Sequence, residues 1–261
     1  MKHHITLACR VRQVVIAAAV VACAVPPTLA VAGPLDWAGG ARIQGSGKVV
    51  KQTRALAHFS GVALNVPGDM QLRLGNTESI TIEADDNVLP LIESVIEDGV
   101  LKIRPLKRNT YLPYRNMRIV VYAKNIERLT LSGSGSIDSD ALKGNKLQFD
   151  ISGSGSLNVK AIQAEAVAIT LAGSGDMKSG AGQASTLAVS ISGSGDVDIG
   201  QVQVGDASVS VVGSGEATVW ATTGLSATIA GSGDVNYYGD PKVSKSVVGS
   251  GDVARMGGAP K

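Results

Sequence analysis

The tripeptide Gly-Ser-Gly occurs seven times between residues 133 and 251 at a nearly fixed spacing. The first glycines lie 20 residues apart four times and then 18 residues apart twice, at positions 133, 153, 173, 193, 213, 231 and 249. A fixed period of this length is typical of a solenoid, in which each repeat forms one coil and contacts only its neighbours. The repeat therefore constrains the fold more than any other feature of the chain.

Apolar and polar residues alternate on both sides of each motif. An aliphatic residue stands two positions before every first glycine, and Asp, Thr or Ser stands at the position before that aliphatic residue. A period of two indicates strands with one buried face, and helical spacing is absent from 127 to 256. We expect an all-β fold in which each coil of about 18–20 residues contains a strand, a glycine corner, a second strand and a loop. This is a parallel β-helix, or single-stranded β-helical solenoid.

Glycine suits the corner of a narrow coil because it adopts positive φ and lets neighbouring backbones approach closely. The serine between the glycines is expected to hydrogen-bond its own backbone or its neighbours along the stack. A nucleotide-binding interpretation fails, because the motifs lack the third glycine of the dinucleotide fingerprint and are followed by more strand.

A carboxylate follows the second glycine in the last five repeats. In a stack with fixed register these residues form one column: Asp176, Asp196, Glu216, Asp234 and Asp252. One interpretation is a calcium ladder, since Ca²⁺ prefers several oxygen ligands. The alternative, favoured by the single carboxylate in each coil, is a solvated acidic edge that discourages contact with other chains. A third interpretation is a ladder that faces a ligand. We expect no metal and no other cofactor.

The first 32 residues have the pattern of a signal peptide. Three basic residues precede an apolar run that is too short to span a bilayer, and small residues at Ala30 and Ala32 predict cleavage before Gly33. The alternative is a lipoprotein anchored at Cys23. In both cases the chain is exported, to the periplasm or the cell surface, and the mature part contains no transmembrane segment.

Loss of the leader changes the charge and the reactive residues of the chain. Removing three positive charges lowers the formal net charge from +2 to −1, so the field that nucleic-acid binding needs is missing. Both cysteines lie in the leader, and His58 is the one histidine after it. With one histidine and no cysteine, the mature chain is expected to form no disulfide framework, no Ser-His-Asp triad and no zinc site. We therefore expect no enzyme and no nucleic-acid partner.

Residues 107–116 form the most distinctive loop, because two tyrosines stand among three basic residues. Aromatic faces and guanidinium groups can bind sugars and acidic groups. The ligand-binding residues proposed on this pattern are Arg108, Tyr111, Tyr114 and Arg115. The alternative is a solvated connection between two strands.

The last repeats differ from the others. Trp220, Tyr237 and Tyr238 occur where the period shortens, and Lys245 replaces an apolar residue of the inner row. Terminal repeats must shield an open core, so these residues are expected to cap the end. An incomplete cap would allow two copies to stack end to end as a homo-oligomer.

The part before the repeats has strands at 59–66, 70–74, 79–83 and 118–122, and one helical turn near 86–92 with an Asp or Asn cap. A hairpin is expected over 94–104, with Asp98-Gly99 as its two-residue turn. The strings Ile43-Gln-Gly-Ser-Gly, Ile82-Glu-Ala-Asp-Asp-Asn-Val-Leu-Pro-Leu-Ile and Leu131-Ser-Gly-Ser-Gly closely resemble the head GIN domain family of auto-transporter adhesins. This resemblance covers about 43–252.

The resemblance implies a right-handed β-helix in a secreted or envelope-attached bacterial protein, and it supplies no catalytic residues. We expect a signal peptide at 1–32, an N-terminal linker and first strand at 33–55, the β-helical domain at 56–256 and a tail at 257–261. Within the domain, 56–130 is the irregular half and 131–256 the repeats. The first hypothesis is adhesin-like binding of a surface glycan or envelope protein. The alternatives are a periplasmic scaffold or envelope-stress accessory that binds protein only, and a polysaccharide-active enzyme.

Overall fold

The computed structural model describes residues 41–107, 110–112 and 117–260, and in these residues the protein is an all-β solenoid of stacked parallel coils. The strands of the repeat region follow one another as predicted: β10 (Arg128–Gly133), β11 (Ser136–Ser139), β12 (Leu142–Gly153), β13 (Ser156–Val159), β14 (Ile162–Gly173), β15 (Asp176–Ser179), β16 (Gly182–Gly193), β17 (Asp196–Gly213), β18 (Glu216–Gly231), β19 (Asp234–Tyr238), β20 (Lys242–Gly249) and β21 (Val253–Gly257).

The strands of successive coils pair in parallel with the period of the sequence. Gly133 pairs with Gly153, and each later first glycine pairs with that of the next coil as far as Gly249. The long strand of each coil omits one residue from its ladder, Asn145, Glu165, Ser185 or Gly205, which divides it into a short first part and a longer second part. Alternate residues of the longer part are buried and form a continuous column of Leu, Ile, Val and Phe side chains.

Backbone hydrogen bonds connect the glycine corners directly. In each corner from Ser154 onward the serine N–H donates to the carbonyl oxygen of the first glycine of the preceding coil, for example Ser194 to Gly173 at 2.9 Å. The serine hydroxyls themselves are exposed, so the expected bonding along the column is made by the backbone and not by the side chains. The stack therefore continues through its corners without a break in backbone pairing.

The irregular half supplies strands that complete the coils and then cover one end of the stack. They are β1 (Ala41–Arg42), β2 (Val49–Ala55), β3 (Gly61–Leu64), β4 (Asp69–Leu74), β5 (Ser79–Asp85), β6 (Ile92–Glu97), β7 (Val100–Pro105), β8 (Thr110–Tyr111) and β9 (Arg118–Ala123). A short 3-10 helix, η1, spans Leu89–Leu91.

The chain does not add these first coils in sequence order. Strands β3 and β4 pair in parallel with β10 and β11 on one side and with β7 and β9 on the other. The β7–β9 layer, which follows β3 and β4 in the chain, therefore lies at the outer end of the stack. Antiparallel strands then cover its edges: β6 pairs with β7, β5 pairs with β9, and β2 pairs with β5. Antiparallel addition ends the parallel stack at this end.

Two segments of the irregular half are joined by hydrogen bonds. The segment Gly45-Ser46-Gly47 lies against the turn after β5, where the Ser46 hydroxyl donates to Asp86 Oδ1 at 2.6 Å and the Ser46 N–H donates to Asn87 Oδ1 at 3.0 Å. The Asn87 amide donates in return to the Gln44 carbonyl oxygen at 2.8 Å. A side chain at Gly45 would overlap the Asp85 carboxylate, so a larger residue there would displace that side chain.

The predicted elements of this half are largely confirmed. Asp98 and Gly99 both have positive φ, 53° and 74°, and form the two-residue turn of the β6–β7 hairpin. The expected Asp or Asn cap of the helical turn is wrong: Val88 precedes η1 without a side-chain cap bond. Asp86 and Asn87 instead hold the segment around Ser46.

The corner geometry predicts that Gly193→Ala destabilises the protein strongly. Gly193 has φ of 132°, and an added Cβ would lie closer than 3.0 Å to the carbonyl oxygen of Gly173. We expect the free energy of unfolding to fall by about 3 kcal/mol. Urea denaturation measures the change. Ser194→Ala, at an exposed serine between the same two glycines, is the matched control and should change it by less than about 0.5 kcal/mol. Equal losses in the two variants would contradict the stacking account.

The β6–β7 hairpin predicts an acid-dependent part of the stability. Hydrogen bonds from Lys102 and Arg104 lower the pKa of Glu97 from 4.5 to about 2. Because the folded pKa is depressed, this stabilisation is complete above about pH 4.5 and is lost as the pH falls toward 2. We expect the thermal midpoint of Glu97→Gln to depend less on pH than that of the wild type in this range. Parallel pH profiles for the two proteins would refute the role of Glu97.

Candidate binding surface

The short first part of the long strands carries a column of outward side chains. Gln163, Gln183 and Gln203 pair in register in three successive coils, and Gln203 is paired in turn with Trp220 and Trp220 with Tyr238. These five residues are called the amide–aromatic strip. Neighbouring strands are about 4.8 Å apart, so the strip runs for about 19 Å along the solenoid.

The three strip glutamines differ from other glutamines of the chain in their hydrogen bonding. Gln52 accepts from Arg54, Gln71 accepts from Arg73, and Gln148 bonds both Arg128 and Asp150. Within the described residues, the amide groups of the strip make no such bond, and Gln163 and Gln183 are exposed. Each of these amides can therefore donate and accept hydrogen bonds with a molecule from solution.

A deletion in the coil brings the two aromatic residues into the strip. The period falls from 20 to 18 because the register shifts by three residues between Asp198 and Gln203, where residues 199–202 face one residue of the next coil. It shifts back by one residue between Val204 and Asp206. The Tyr238 ring reaches toward Gly200, where an added Cβ would meet ring atom Cε2 at 3.3 Å. Gly200 thus leaves room for the ring. Trp220 and Tyr238 remain half-buried and form one continuous patch.

A groove of about 390 Å³ follows the amide end of the strip. Its lining includes Lys143, Gln163 and Gln183 together with the small residues that follow them, Gly144, Ala164 and Ala184. The residues omitted from the ladder, Asn145, Glu165 and Ser185, also line it. The groove is shallow and polar, and it runs across three coils. An extended polar molecule that lies along the solenoid axis fits this shape.

The carboxylates after the glycine corners form the predicted exposed column. Asp176 pairs with Asp196, and Glu216 with Asp234, and all five are exposed. The column begins earlier than the sequence suggested, because Asp69 occupies the same position and its Oδ1 accepts from the Ser136 hydroxyl at 2.7 Å.

Two of these carboxylates accept a backbone N–H of the next coil. The Glu216 N–H donates to Asp196 Oδ1 at 3.0 Å, and the Asp252 N–H donates to Asp234 Oδ1 at 2.9 Å. Among the described residues, no group of three or more His, Cys, Asp or Glu side chains is placed to hold a metal ion. Individual carboxylates of the column therefore act as hydrogen-bond acceptors for the next coil.

The proposed basic aromatic loop falls mostly outside the described residues. Arg108, Tyr114 and Arg115 are among the residues not described, whereas Tyr111 ends β8 with 63% of its surface exposed. The backbone of Tyr111 is fixed, because its carbonyl oxygen accepts from the Ile43 N–H at 3.0 Å and β8 pairs with β1. Tyr111 belongs to the covered end of the stack, several coils away from the strip.

The expected aromatic cap of the other end is partly wrong. Trp220 and Tyr238 face outward, and the last coil, β20 and β21, continues beyond them. Tyr237 packs against the core, as a capping residue would. Lys245 does occupy an inner position, opposite Ala227, and is exposed. The sequence did not reveal the strip, because its glutamines recur every 20 residues but its aromatic residues do not follow this period.

The described residues contain no helix that is both long enough and apolar enough to cross a membrane.

A family comparison identifies the chain. Residues 58–241 match the model of the family described as "Putative auto-transporter adhesin, head GIN domain", so the protein belongs to this family. The resemblance seen in the sequence is confirmed. A comparison with curated proteins finds no match.

Solved structures show the same fold. A crystal structure of a putative adhesin from Bacteroides fragilis is 21% identical, covers 82% of this chain and 100% of its own, and has a TM-score of 0.76. A putative lipid binding protein from Parabacteroides distasonis is 25% identical, with coverage of 82% and 99% and a TM-score of 0.69. A putative adhesin from Parabacteroides merdae is 21% identical, with coverage of 83% and 99% and a TM-score of 0.66.

Proposed function

We propose that the protein is an exported, non-enzymatic envelope protein that binds a glycan chain in the manner of an adhesin, through the amide–aromatic strip. The observation that carries this proposal is the register of three unbonded amides with two aromatic side chains. The description of the family and of two similar structures as adhesins supports the general class.

The chemistry of the strip suits a sugar polymer. A sugar ring presents hydroxyl groups at its rim, which donate and accept hydrogen bonds as a carboxamide does. Its C–H groups form an apolar face that packs against the face of Trp or Tyr. Gln163, Gln183 and Gln203 supply the first kind of contact, and Trp220 and Tyr238 supply the second. The combination favours a glycan over a purely apolar ligand.

The dimensions of the strip favour a chain over a single sugar. Five positions at about 4.8 Å intervals extend well beyond one sugar ring. The strands that carry them are paired on both sides, so little conformational entropy is lost when a ligand binds. A rigid, linear row of weak contacts binds a polymer through several units at once.

The charge of the strip favours a neutral or weakly charged glycan. All five side chains are neutral, and the nearest charged residues of the groove, Lys143 and Glu165, have opposite signs. This distinguishes the strip from the basic loop with Arg108 and Arg115, for which an anionic polysaccharide is the better ligand. The loop remains a second proposal for ligand contact, with Tyr111 and Tyr114 as its aromatic residues.

The proposal includes export by the leader at 1–32, with release to the periplasm or surface or attachment through Cys23. It also separates the protein from the two alternatives named for this sequence. Capture of a glycan distinguishes it from a scaffold that binds protein only, and a polysaccharide-active enzyme needs a unique pair of acid and base groups. The repeated carboxylates are partly engaged by the backbone, as at Asp196.

Glycan binding by the full chain tests the proposal. We expect saturable retention of the protein on at least one neutral polysaccharide of a broad immobilised panel. The double variant Trp220→Ala/Tyr238→Ala should weaken binding at least tenfold, which corresponds to about 1.4 kcal/mol. The matched control is Tyr122→Ala, which removes an exposed aromatic side chain outside the strip and should bind as the wild type does.

Further variants locate the site. The triple variant Gln163→Ala/Gln183→Ala/Gln203→Ala should also lose affinity while its thermal midpoint is retained, since these amides make no bond in the described fold. Binding that is kept in both strip variants but lost when Arg108, Tyr111, Tyr114 and Arg115 are changed to Ala would move the site to the loop. No retention on any glycan, together with capture by an envelope protein, would favour the scaffold.

A further inference from the structure

The two ends of the solenoid are finished differently. At one end, antiparallel strands β6, β5 and β2 cover the last parallel layer. At the other, β20 pairs with β18 alone and β21 pairs with β19 alone, and every residue of β20 is exposed. Within the described chain, the outer edges of β20 and β21 therefore present unpaired backbone groups to solvent. Such an edge is a template for pairing with another strand.

The exposed layer is also apolar. The inner positions of β20 continue the core column, and Val243 and Val247 each remain 37% exposed, whereas Leu225 and Ile229 beneath them are buried. Val248 is 72% exposed on the outer face. A second copy of this edge would bury the same side chains on both partners.

Lys245 interrupts this surface at its centre. In the other coils its inner position is held by Leu129, Phe149, Ile169, Val189, Val209 and Ala227. No salt bridge or hydrogen bond of the Lys245 ammonium group occurs within the described residues. Arg255, the other inward cation of the last coil, does have partners. Its Nε donates to the Gly239 carbonyl oxygen at 2.8 Å, and its Nη2 lies 3.7 Å from Asp240 Oδ1.

We propose that Lys245 keeps this end of the solenoid from pairing with the same end of a second copy. Stacking would remove an unpaired ammonium group from water, which is unfavourable unless a counter-charge is present. In a two-fold arrangement each Lys245 would also approach its counterpart, and like charges repel. An inward-pointing charge on an edge strand is a known means of preventing such association. End stacking, which the sequence suggested, is thus the association that this residue opposes.

The end covered by β2, β5 and β6 determines which oligomer is expected when the Lys245 charge is removed. Because antiparallel strands end the stack at β2, β5 and β6, a head-to-tail contact cannot repeat the parallel pairing. We therefore expect the exposed edge to meet the same edge of a second copy, which gives a closed two-fold dimer. A filament is not expected.

Molar mass in solution tests the proposal with the full chain. We expect the wild type to be monomeric and Lys245→Val to double its molar mass by light scattering at the same protein concentration. Valine occupies this column at Val62, Val189 and Val209, so the substitution suits the fold. The matched control is Lys242→Val, which removes a charge from the same strand at an outer corner position and should remain monomeric. Lys245→Glu, which keeps a charge of the other sign, should also remain monomeric.

Four results would overturn the proposal. They are a dimeric wild type, a Lys245→Val protein that is folded by circular dichroism yet monomeric, equal dimerisation of Lys242→Val, and growth of Lys245→Val beyond the dimer. The last would show that the covered end also pairs. None of these results depends on whether the strip binds a glycan.

Discussion

The hydrogen bond between successive glycine corners is the contact on which the structure depends. Each serine N–H reaches the glycine carbonyl of the preceding coil, at 2.8–2.9 Å from Ser154 to Ser250. A side chain at either glycine would collide with that neighbouring backbone. The corners therefore fix the distance and the register between coils. The core column and every outer column follow from this register, since a slip of one residue would exchange buried and exposed faces.

Repetition converts single side chains into surfaces. One outward glutamine would be an ordinary solvated residue, but three in register form a row of amides that continues into Trp220 and Tyr238. The same repetition forms the carboxylate column, where Asp196 and Asp234 also accept backbone N–H groups of the next coil. The last layer of the stack, at β20, has no further strand beyond it among the described residues. There we propose that one residue, Lys245, determines whether the edge can associate. The proposed binding site and the proposed association edge are thus columns of side chains rather than enclosed pockets.

Much of this could be predicted from the sequence, and the reasons are physical. The Gly-Ser-Gly period and the alternation of apolar residues determine the coils, and the Asp98-Gly99 pair determines its turn, because these are local constraints. The order of the first layers was not predictable, because β7 and β9 insert outside β3 and β4 through pairing between distant segments. The amide–aromatic strip was not predicted from the sequence for a similar reason. A three-residue register shift near Gly200 brings Trp220 into register with Gln203, and no fixed spacing reveals this.

Amide hydrogen exchange of the full chain tests most directly whether the corner hydrogen bonds connect the coils, because it measures the protection of each serine N–H separately. The corner serines are exposed at the surface, yet their N–H groups are bonded to the preceding coil. The account predicts that the N–H groups of Ser174, Ser194 and Ser214 exchange as slowly as those of the adjoining strands. Fast exchange at these serines, as in an ordinary solvated turn, beside protected strands would contradict it.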